Sequence, residues 1–156
     1  MSARTIAEGD LPGRARLTYL VKQLERAIRV AMDDVTRAYD LTAIQYTALS
    51  VLVRNRGMSS AQLARRSFVS PQACYEMIVI LEGKGLVERK PLAGNRRTLQ
   101  IEVTKAGVSV LKKCDRHMDQ LEQRIFGVLS TTERQSFRND LVECISSQYP
   151  EIRHRL

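Results

Sequence analysis

Two helix-start signals lie close together in the middle of the chain, and the repeat of apolar residues changes just after them. Ser59 with Gln62 makes a capping box, in which the serine hydroxyl and the glutamine side chain each satisfy a backbone N–H that the first turn leaves without a partner. Ser70 followed by Pro71 is a second start, an N-cap and a first-turn proline, where a missing N–H does no harm. The helix opened at Ser59 must therefore be short, Ser60 to about Arg66. The next one places Cys74, Met77, Ile78 and Leu81 on its apolar face and stops at Gly83 and Gly85. Beyond Gly85 the helical repeat is lost. Leu86, Val87, Arg89 and Lys90 read as a strand, Pro91 to Arg96 as a turn, and Thr98 to Val103 as a second strand in which Leu99, Ile101 and Val103 alternate with polar residues. Short helix, brief turn, longer helix and hairpin, in that order, spell a helix-turn-helix followed by a wing.

Long amphipathic helices flank this unit. Leu17, Leu20, Val21, Leu24, Ile28, Met32 and Val35 recur at a 3.5–3.6 period without Gly or Pro, which predicts one helix from Leu17 to about Tyr39. Thr42 with Gln45 is another capping box and opens a second helix that ends near Gly57. After the hairpin, Thr104 caps a helix with Val108, Leu111, Met118, Leu121, Ile125 and Val128 on one face. Ser130 with Glu133 then opens a last one through Phe137, Leu141 and Ile145 to Pro150. The fold class expected is mainly α with a small β hairpin, in a single domain. The stripes of the terminal helices are too extensive for a small central core to cover, so they are expected to bury one another across a dimer; an intramolecular bundle is the alternative.

Charge is concentrated where the winged unit lies. Residues 54–105 hold ten Lys or Arg against four Asp or Glu, whereas residues 1–53 hold seven against six and residues 106–156 eight against seven, so most of the net +8 falls in the middle third. A concentrated basic segment is the electrostatic footprint of a polyanion partner. Arg4, Glu8 and Asp10 interrupt the N-terminus, so no cleavable leader is expected there, and no apolar run is long enough to span a membrane. Three scattered cysteines, Cys74, Cys114 and Cys144, with no CxxC pair, fit a reducing cytoplasm. With only His117 and His154 as near-neutral acid–base groups, and no phosphate-cradling loop, nucleophile elbow or metal-ligand spacing, catalysis is not expected, nor is a cofactor or metal.

Several runs together resemble the MarR family of winged helix-turn-helix transcriptional regulators. They are Leu41-Thr42 with Gln45 and Leu49, Gln62-Leu63-Ala64, Val69-Ser70, Leu81-Glu82-Gly83-Lys84-Gly85-Leu86-Val87-Glu88-Arg89, and Val103-Thr104-Lys105-Ala106-Gly107. The resemblance covers roughly residues 15–148. It implies a DNA-binding region at about 42–105, dimerisation helices at about 12–40 and 105–149, and a homodimer on an inverted-repeat operator, usually a repressor relieved by a small molecule or an oxidant. One departure is visible: the family's wing tip commonly reads Asp-x-Arg, and here Asn95, Arg96 and Arg97 stand in those positions.

The fourth helix, with its apolar face removed, presents Ser70, Gln72, Ala73, Tyr75, Glu76 and Val79 outward. Gln72 suits adenine, Glu76 the cytosine amino group, Ala73 or Val79 a thymine methyl, and Tyr75 a phosphate or a base. From Ser70 to Lys84 the net charge is −1, so phosphate anchoring falls to its surroundings: Ser59, Arg65, Arg66, Lys84, Arg89, Lys90, Arg96 and Arg97. By resemblance an effector pocket lies between the first, second and fifth helices, where Arg16, Tyr19, Tyr46 and His117 suit an aromatic carboxylate. Two other readings stand beside a small-molecule-released repressor. One is a cysteine-based redox regulator, although Cys74 sits at a core position. The other is a winged-helix protein-interaction module with no DNA target.

Overall fold

A computed structural model describes residues 15–67, 69–92 and 94–150, and of residues 95–97 it describes the backbone. The start of the first dimerisation region expected from about residue 12, the N-terminal residues read for a leader, and His154 lie outside the described residues. The order of elements is α1 (Leu17–Arg37), α2 (Ala43–Arg54), β1 (Met58–Ser59), α3 (Ser60–Arg66), α4 (Pro71–Gly83), β2 (Val87–Leu92), β3 (Asn95–Val103), α5 (Lys105–Phe126) and α6 (Thr131–Gln148).

The helix starts fall where the caps put them. Thr42, Ser59 and Ser130 each accept from the backbone three residues on, with the reciprocal side-chain bond of a full capping box. The Ser70 hydroxyl accepts from the Ala73 N–H at 3.1 Å, with Pro71 in the first turn of α4. Such caps contribute about 1 kcal/mol each. A carboxylate outside α2 adds to its start: Asp33 Oδ1 on α1 accepts from the Ala43 N–H at 2.9 Å, which ties the two helices at their corner.

The hairpin expected from the sequence is part of a three-stranded antiparallel sheet of order β1-β3-β2. The added strand, β1, pairs Met58 with Ile101 and Ser59 with Gln100. Two residues carry no period, and Ser59 serves both as strand partner and as helix cap, so its cap signal hides the strand. The turn is also tighter than Pro91 to Arg96. Pairing runs from Val87–Val103 through Pro91–Leu99, shifts between Pro91 and Leu92, and ends with Leu92 opposite Asn95. A shift at proline is expected, since that residue has no N–H to give the ladder. Of the alternating residues on β3 only Ile101 is fully buried, and Leu99 is 44% exposed because the hairpin arm extends beyond the core.

The main core gathers one face from every element of the winged unit: Leu49 and Leu52 of α2, Leu63 of α3, Cys74, Ile78 and Leu81 of α4, Val87 of β2 and Ile101 of β3, with Leu111 reaching in from α5. A smaller cluster of Cys114, Met118 and Leu121 on α5 packs against Met32 and Val35 of α1 and joins the winged unit to the long helices. Full burial of each large side chain stabilises by about 1.5–3 kcal/mol. Among the described residues no helix is long and apolar enough to cross a membrane.

The corner between α4 and α5 is held by backbone as much as by side chains. Leu86 O accepts from the Thr104 N–H at 3.0 Å. The Thr104 hydroxyl donates to Gly85 O at 2.6 Å and accepts from the Gly107 N–H at 3.1 Å. A Cβ on Gly107 would stand 2.2 Å from Leu86 O, whereas one on Gly83 would meet nothing within 4 Å. In urea unfolding, Gly107→Ala is therefore expected to lose about 1–3 kcal/mol through overpacking. Gly83→Ala should be neutral or gain about 0.5 kcal/mol. Matching midpoints for the two variants would contradict this account of the corner.

Candidate nucleic-acid interface

Helix α4 is positioned by its buried face. Cys74, Met77, Ile78 and Leu81 are buried, with Cys74 and Leu81 at 0% exposure, and this fixes the helix about its own axis. Ser70, Gln72, Ala73, Tyr75, Glu76 and Val79 are all exposed on the other side, as expected. Ile80, absent from the sequence reading, joins them at 48% exposure. Its position next to Val79 on a continuous apolar run gave no periodic signal to separate it from the core.

The outward face carries its own contacts. The Gln72 amide donates from Nε2 to Glu76 Oε1 at 2.8 Å, one turn along the helix. Further along, Glu82 accepts from Arg89 of β2 at both Nε (3.0 Å) and a terminal nitrogen (2.5 Å). The same guanidinium lies 5.8 Å from the centre of the Tyr75 ring, a cation–π distance. The hydrogen bond from Arg89 holds the Glu82 carboxyl below its usual range, and in turn Glu82 and then Tyr75 push the Arg89 pKa up. Arg89 is thus a brace between the wing strand and α4, facing Tyr75.

The other cations expected to anchor a phosphate divide into two groups. Lys84 makes an ion pair with Asp40 at 3.0 Å and also donates to the Asp40 backbone carbonyl, pinning the end of α4 to the α1–α2 corner. Asp40 has φ 54°, a conformation that suits Asp or Asn better than most residues. Lys90 lies between Glu88 (2.7 Å) and Glu102 (3.0 Å), hydrogen bonds that raise its pKa, Glu88 contributing most. By contrast, Arg65 is exposed at the end of α3, Arg66 beside it is partly buried, and Ser59 is partly buried at the start of that helix. The backbone of Arg96 and Arg97 lies in β3 rather than in the turn, beside Gly94 with φ 81°. Lys84, Arg89 and Lys90 are therefore matched by carboxylates, and the sequence count overstates the positive charge that the winged unit presents.

The four residues grouped for an effector are not brought together within one chain. Arg16 and Tyr19 are exposed at the start of α1. Tyr46 donates to Asp115 Oδ1 at 2.8 Å, and burial followed by that bond drives its pKa far above the usual phenol value. His117 lies with Nδ1 2.6 Å from the Tyr39 hydroxyl, just past the other end of α1. Tyr19 and Arg37 are separated by about 27 Å of helix at 1.5 Å per residue. A different cavity lies between the long helices: an apolar groove of about 400 Å³ lined by Leu24, Ile28 and Met32 of α1, Ile44 of α2, Phe126 of α5 and Phe137 of α6. Arg29 and Glu25 stand at its edge, paired at 3.5 Å.

The thiols differ in setting. Cys74 is buried with Sγ 3.5 Å from Ser60 O, and burial pushes its pKa up. Burial pushes Cys114 up to about 11, and Cys144 is exposed. A raised pKa withholds the reactive thiolate. Among the described residues no group of His, Cys, Asp and Glu could hold a metal ion.

Comparison with known proteins places this geometry among relatives. The sequence profile of the MarR family matches residues 39–98. The HTH-type transcriptional repressor Rv2887 of Mycobacterium tuberculosis is 27% identical over 127 residues, 81% of this chain and 91% of the relative. A crystal structure of Rv2887 with salicylic acid superposes with a TM-score of 0.71 at 26% identity, covering 86% of this chain and 99% of that one. The fold is also that of the S. aureus MepR–DNA complex, with a TM-score of 0.75 at 20% identity over 86% and 99% of the two chains.

The brace generates a pH-dependent prediction. Glu82 has a depressed folded pKa, so its contribution is present above the unfolded carboxylate pKa and lost as pH falls through the folded value. Thermal unfolding of Arg89→Ala should show a lower Tm than the parent at pH 7, and the gap should close on acidification below the carboxylate range. A gap that persisted unchanged at low pH would show that Arg89 stabilises by packing rather than through Glu82.

Proposed function

We propose that the chain is a member of the MarR family, which it resembles in its matches, and a cytoplasmic, sequence-specific DNA-binding regulator, a homodimeric repressor released from an inverted-repeat operator by a small molecule. The observation that carries this reading is the outward face of α4. It is exposed, capped at Ser70, and held against the wing by Arg89 and against the α1–α2 corner by Lys84. A helix set rigidly with its N-terminal polar residues outward meets the need of major-groove reading. Arg65, Arg66, Arg96 and Arg97 then supply the phosphate and minor-groove contacts, which set affinity and its salt dependence. Ser59 at the head of α3 adds a polar neighbour.

Dimerisation is supported by what one chain leaves uncovered. Leu17 is 78% exposed, Val21 56% and Val30 57%, all on α1. The contacts of helix α6 with the rest of the chain include Phe137 near Phe126, with ring centroids 6.1 Å apart, and Arg134 donating to Gln123 at 2.8 Å. A lone helix of 18 residues is marginal without tertiary support, and a second copy supplies it. Two α4 helices related by a two-fold axis reach successive major grooves on one face of the duplex, about 34–36 Å apart.

The effector reading rests on the apolar groove between the long helices, whose two phenylalanines suit an aromatic ring and whose edge carries Arg29 for a carboxylate. The salicylic acid bound to Rv2887 supports that class of ligand. A redox reading is weaker, because Cys74 and Cys114 are buried with raised pKa values.

Footprinting and titration on a selected operator test the assembly. Half-site centres are expected about 10–10.5 base pairs apart, and inserting five base pairs between them should reduce affinity to near that for random duplex. Undiminished affinity after the insertion would rule out a two-fold dimer reading both half-sites. For the effector, titrating salicylate into the protein–operator complex should release the DNA at millimolar levels or below, less readily for Arg29→Met. No release across that range, with the complex otherwise intact, would remove aromatic carboxylates as the effector class.

A further inference from the structure

The outward face of α4 contains a pair of side chains whose contact limits what each can read, and this deepens the DNA-binding reading on which it rests. Gln72 and Glu76 are one turn apart, both exposed, with Gln72 Nε2 donating to Glu76 Oε1 at 2.8 Å. A carboxylate accepts and never donates while ionised, so only the amide nitrogen of Gln72 can face it. The usual ambiguity between amide oxygen and nitrogen is thereby settled by the neighbour rather than by the groove. Three groups remain to be used: the Gln72 Oε1 acceptor, the second N–H on Gln72 Nε2, and the Glu76 Oε2 acceptor.

The surroundings do not alter this balance. Lys84, the sole cation between Ser70 and Lys84, is bound to Asp40, and Arg89 of β2, which faces Tyr75, is bound to Glu82. Among the described residues Glu76 forms no ion pair. Its carboxylate therefore enters a groove as an uncompensated acceptor and must find a donor, because burying it against another acceptor would leave a charge without a partner. In the major groove the donors are the amino groups of cytosine (N4) and adenine (N6), while guanine shows acceptors O6 and N7.

We infer that Gln72 and Glu76 form a single recognition unit, in which Gln72, held by Glu76, takes adenine through N6 and N7 while Glu76 takes the amino group of an adjacent cytosine and rejects guanine there. Every hydrogen-bonding group of the pair is then matched. Oε1 of Gln72 accepts from adenine N6, one Nε2 hydrogen goes to adenine N7, and the other remains on Glu76, whose second oxygen accepts from cytosine N4. The operator half-site should thus carry an adenine beside a cytosine at the centre of the α4 contact.

Binding-site selection from random duplex DNA tests this, using the full chain and its variants Gln72→Ala, Glu76→Gln, the double variant Gln72→Ala/Glu76→Ala with its singles, and Arg65→Ala. The parent should enrich the adenine–cytosine step and deplete guanine at the cytosine position. Glu76→Gln, whose amide can donate to guanine, should lift that depletion, and Glu76→Ala, which leaves Gln72 without its acceptor, should weaken the neighbouring adenine preference by roughly tenfold. The two alanine singles should sum to more than the double variant, as expected for residues that act together. Arg65→Ala should lower affinity on every sequence and leave the preferences unchanged. Thermal unfolding should be unaltered for the Gln72 and Glu76 variants, since both residues are exposed.

Persistence of guanine depletion in Glu76→Gln, or of the adenine preference in Glu76→Ala, would overturn the coupled unit while leaving DNA binding intact, as would strict additivity of the two alanine variants. A parent chain that enriches no sequence would overturn the DNA-binding reading and the recognition unit together.

Discussion

The seating of α4 is the constraint on which the rest of the arrangement depends. Cys74, Met77, Ile78 and Leu81 fix which side of the helix faces inward, and Leu63, Val87 and Ile101, each at most 2% exposed, share the core they enter. A rotation of one residue about the axis would turn each outward side chain by roughly 100°, and no groove-reading geometry survives that. Both ends are also fastened. The Ser70 cap ends the turn from α3, and at the far end Lys84 reaches Asp40 while Leu86 O and Gly85 O take Thr104. The corner that holds the end of α4 is therefore the same one that launches α5.

Charge does two different jobs within the winged unit. Lys84, Arg89 and Lys90 meet carboxylates within the chain and hold elements in place, which leaves Arg65 in the open at the end of α3. Exposed pairs of this sort contribute little stability singly, but they orient what they connect. Arg89 is the clearest case, since it joins β2 to Glu82 and lies near Tyr75 at the same time. A segment rich in Lys and Arg can thus bear fewer available cations than its composition suggests.

Much of the fold was legible because its signals are local. The caps at Thr42, Ser59, Ser70, Thr104 and Ser130 are decided within a few residues, and each opens a helix where expected. The apolar face of α4 follows from its period, and with it the outward set from Ser70 to Val79. What was not legible depends on partners distant in sequence. Strand β1 exists because Met58 lies opposite Ile101, a pairing that two residues cannot announce. The partner of Lys84 lies 44 residues away, and one of the two partners of Lys90 lies 12 away. Tyr46 pairs with Asp115, and His117 pairs with Tyr39, across 69 and 78 residues of sequence. Gln72 and Glu76 were each read correctly as exposed, yet their mutual bond needs a choice of rotamers that spacing alone does not specify.

The terminal helices complete the picture by being incomplete within one chain. Leu17 and Val21 stay exposed on the first half of α1, and the proposed dimer would cover such side chains while setting two α4 helices at a fixed separation. The central claim, that this dimer presents α4 to a major groove, is tested most directly by hydrogen–deuterium exchange with and without a selected duplex. The account predicts new protection concentrated at residues 65–76 and in the hairpin arm around residues 92–98, with little change on α6. Protection confined to α1 and α6, with the start of α4 exchanging as in the free protein, would contradict it.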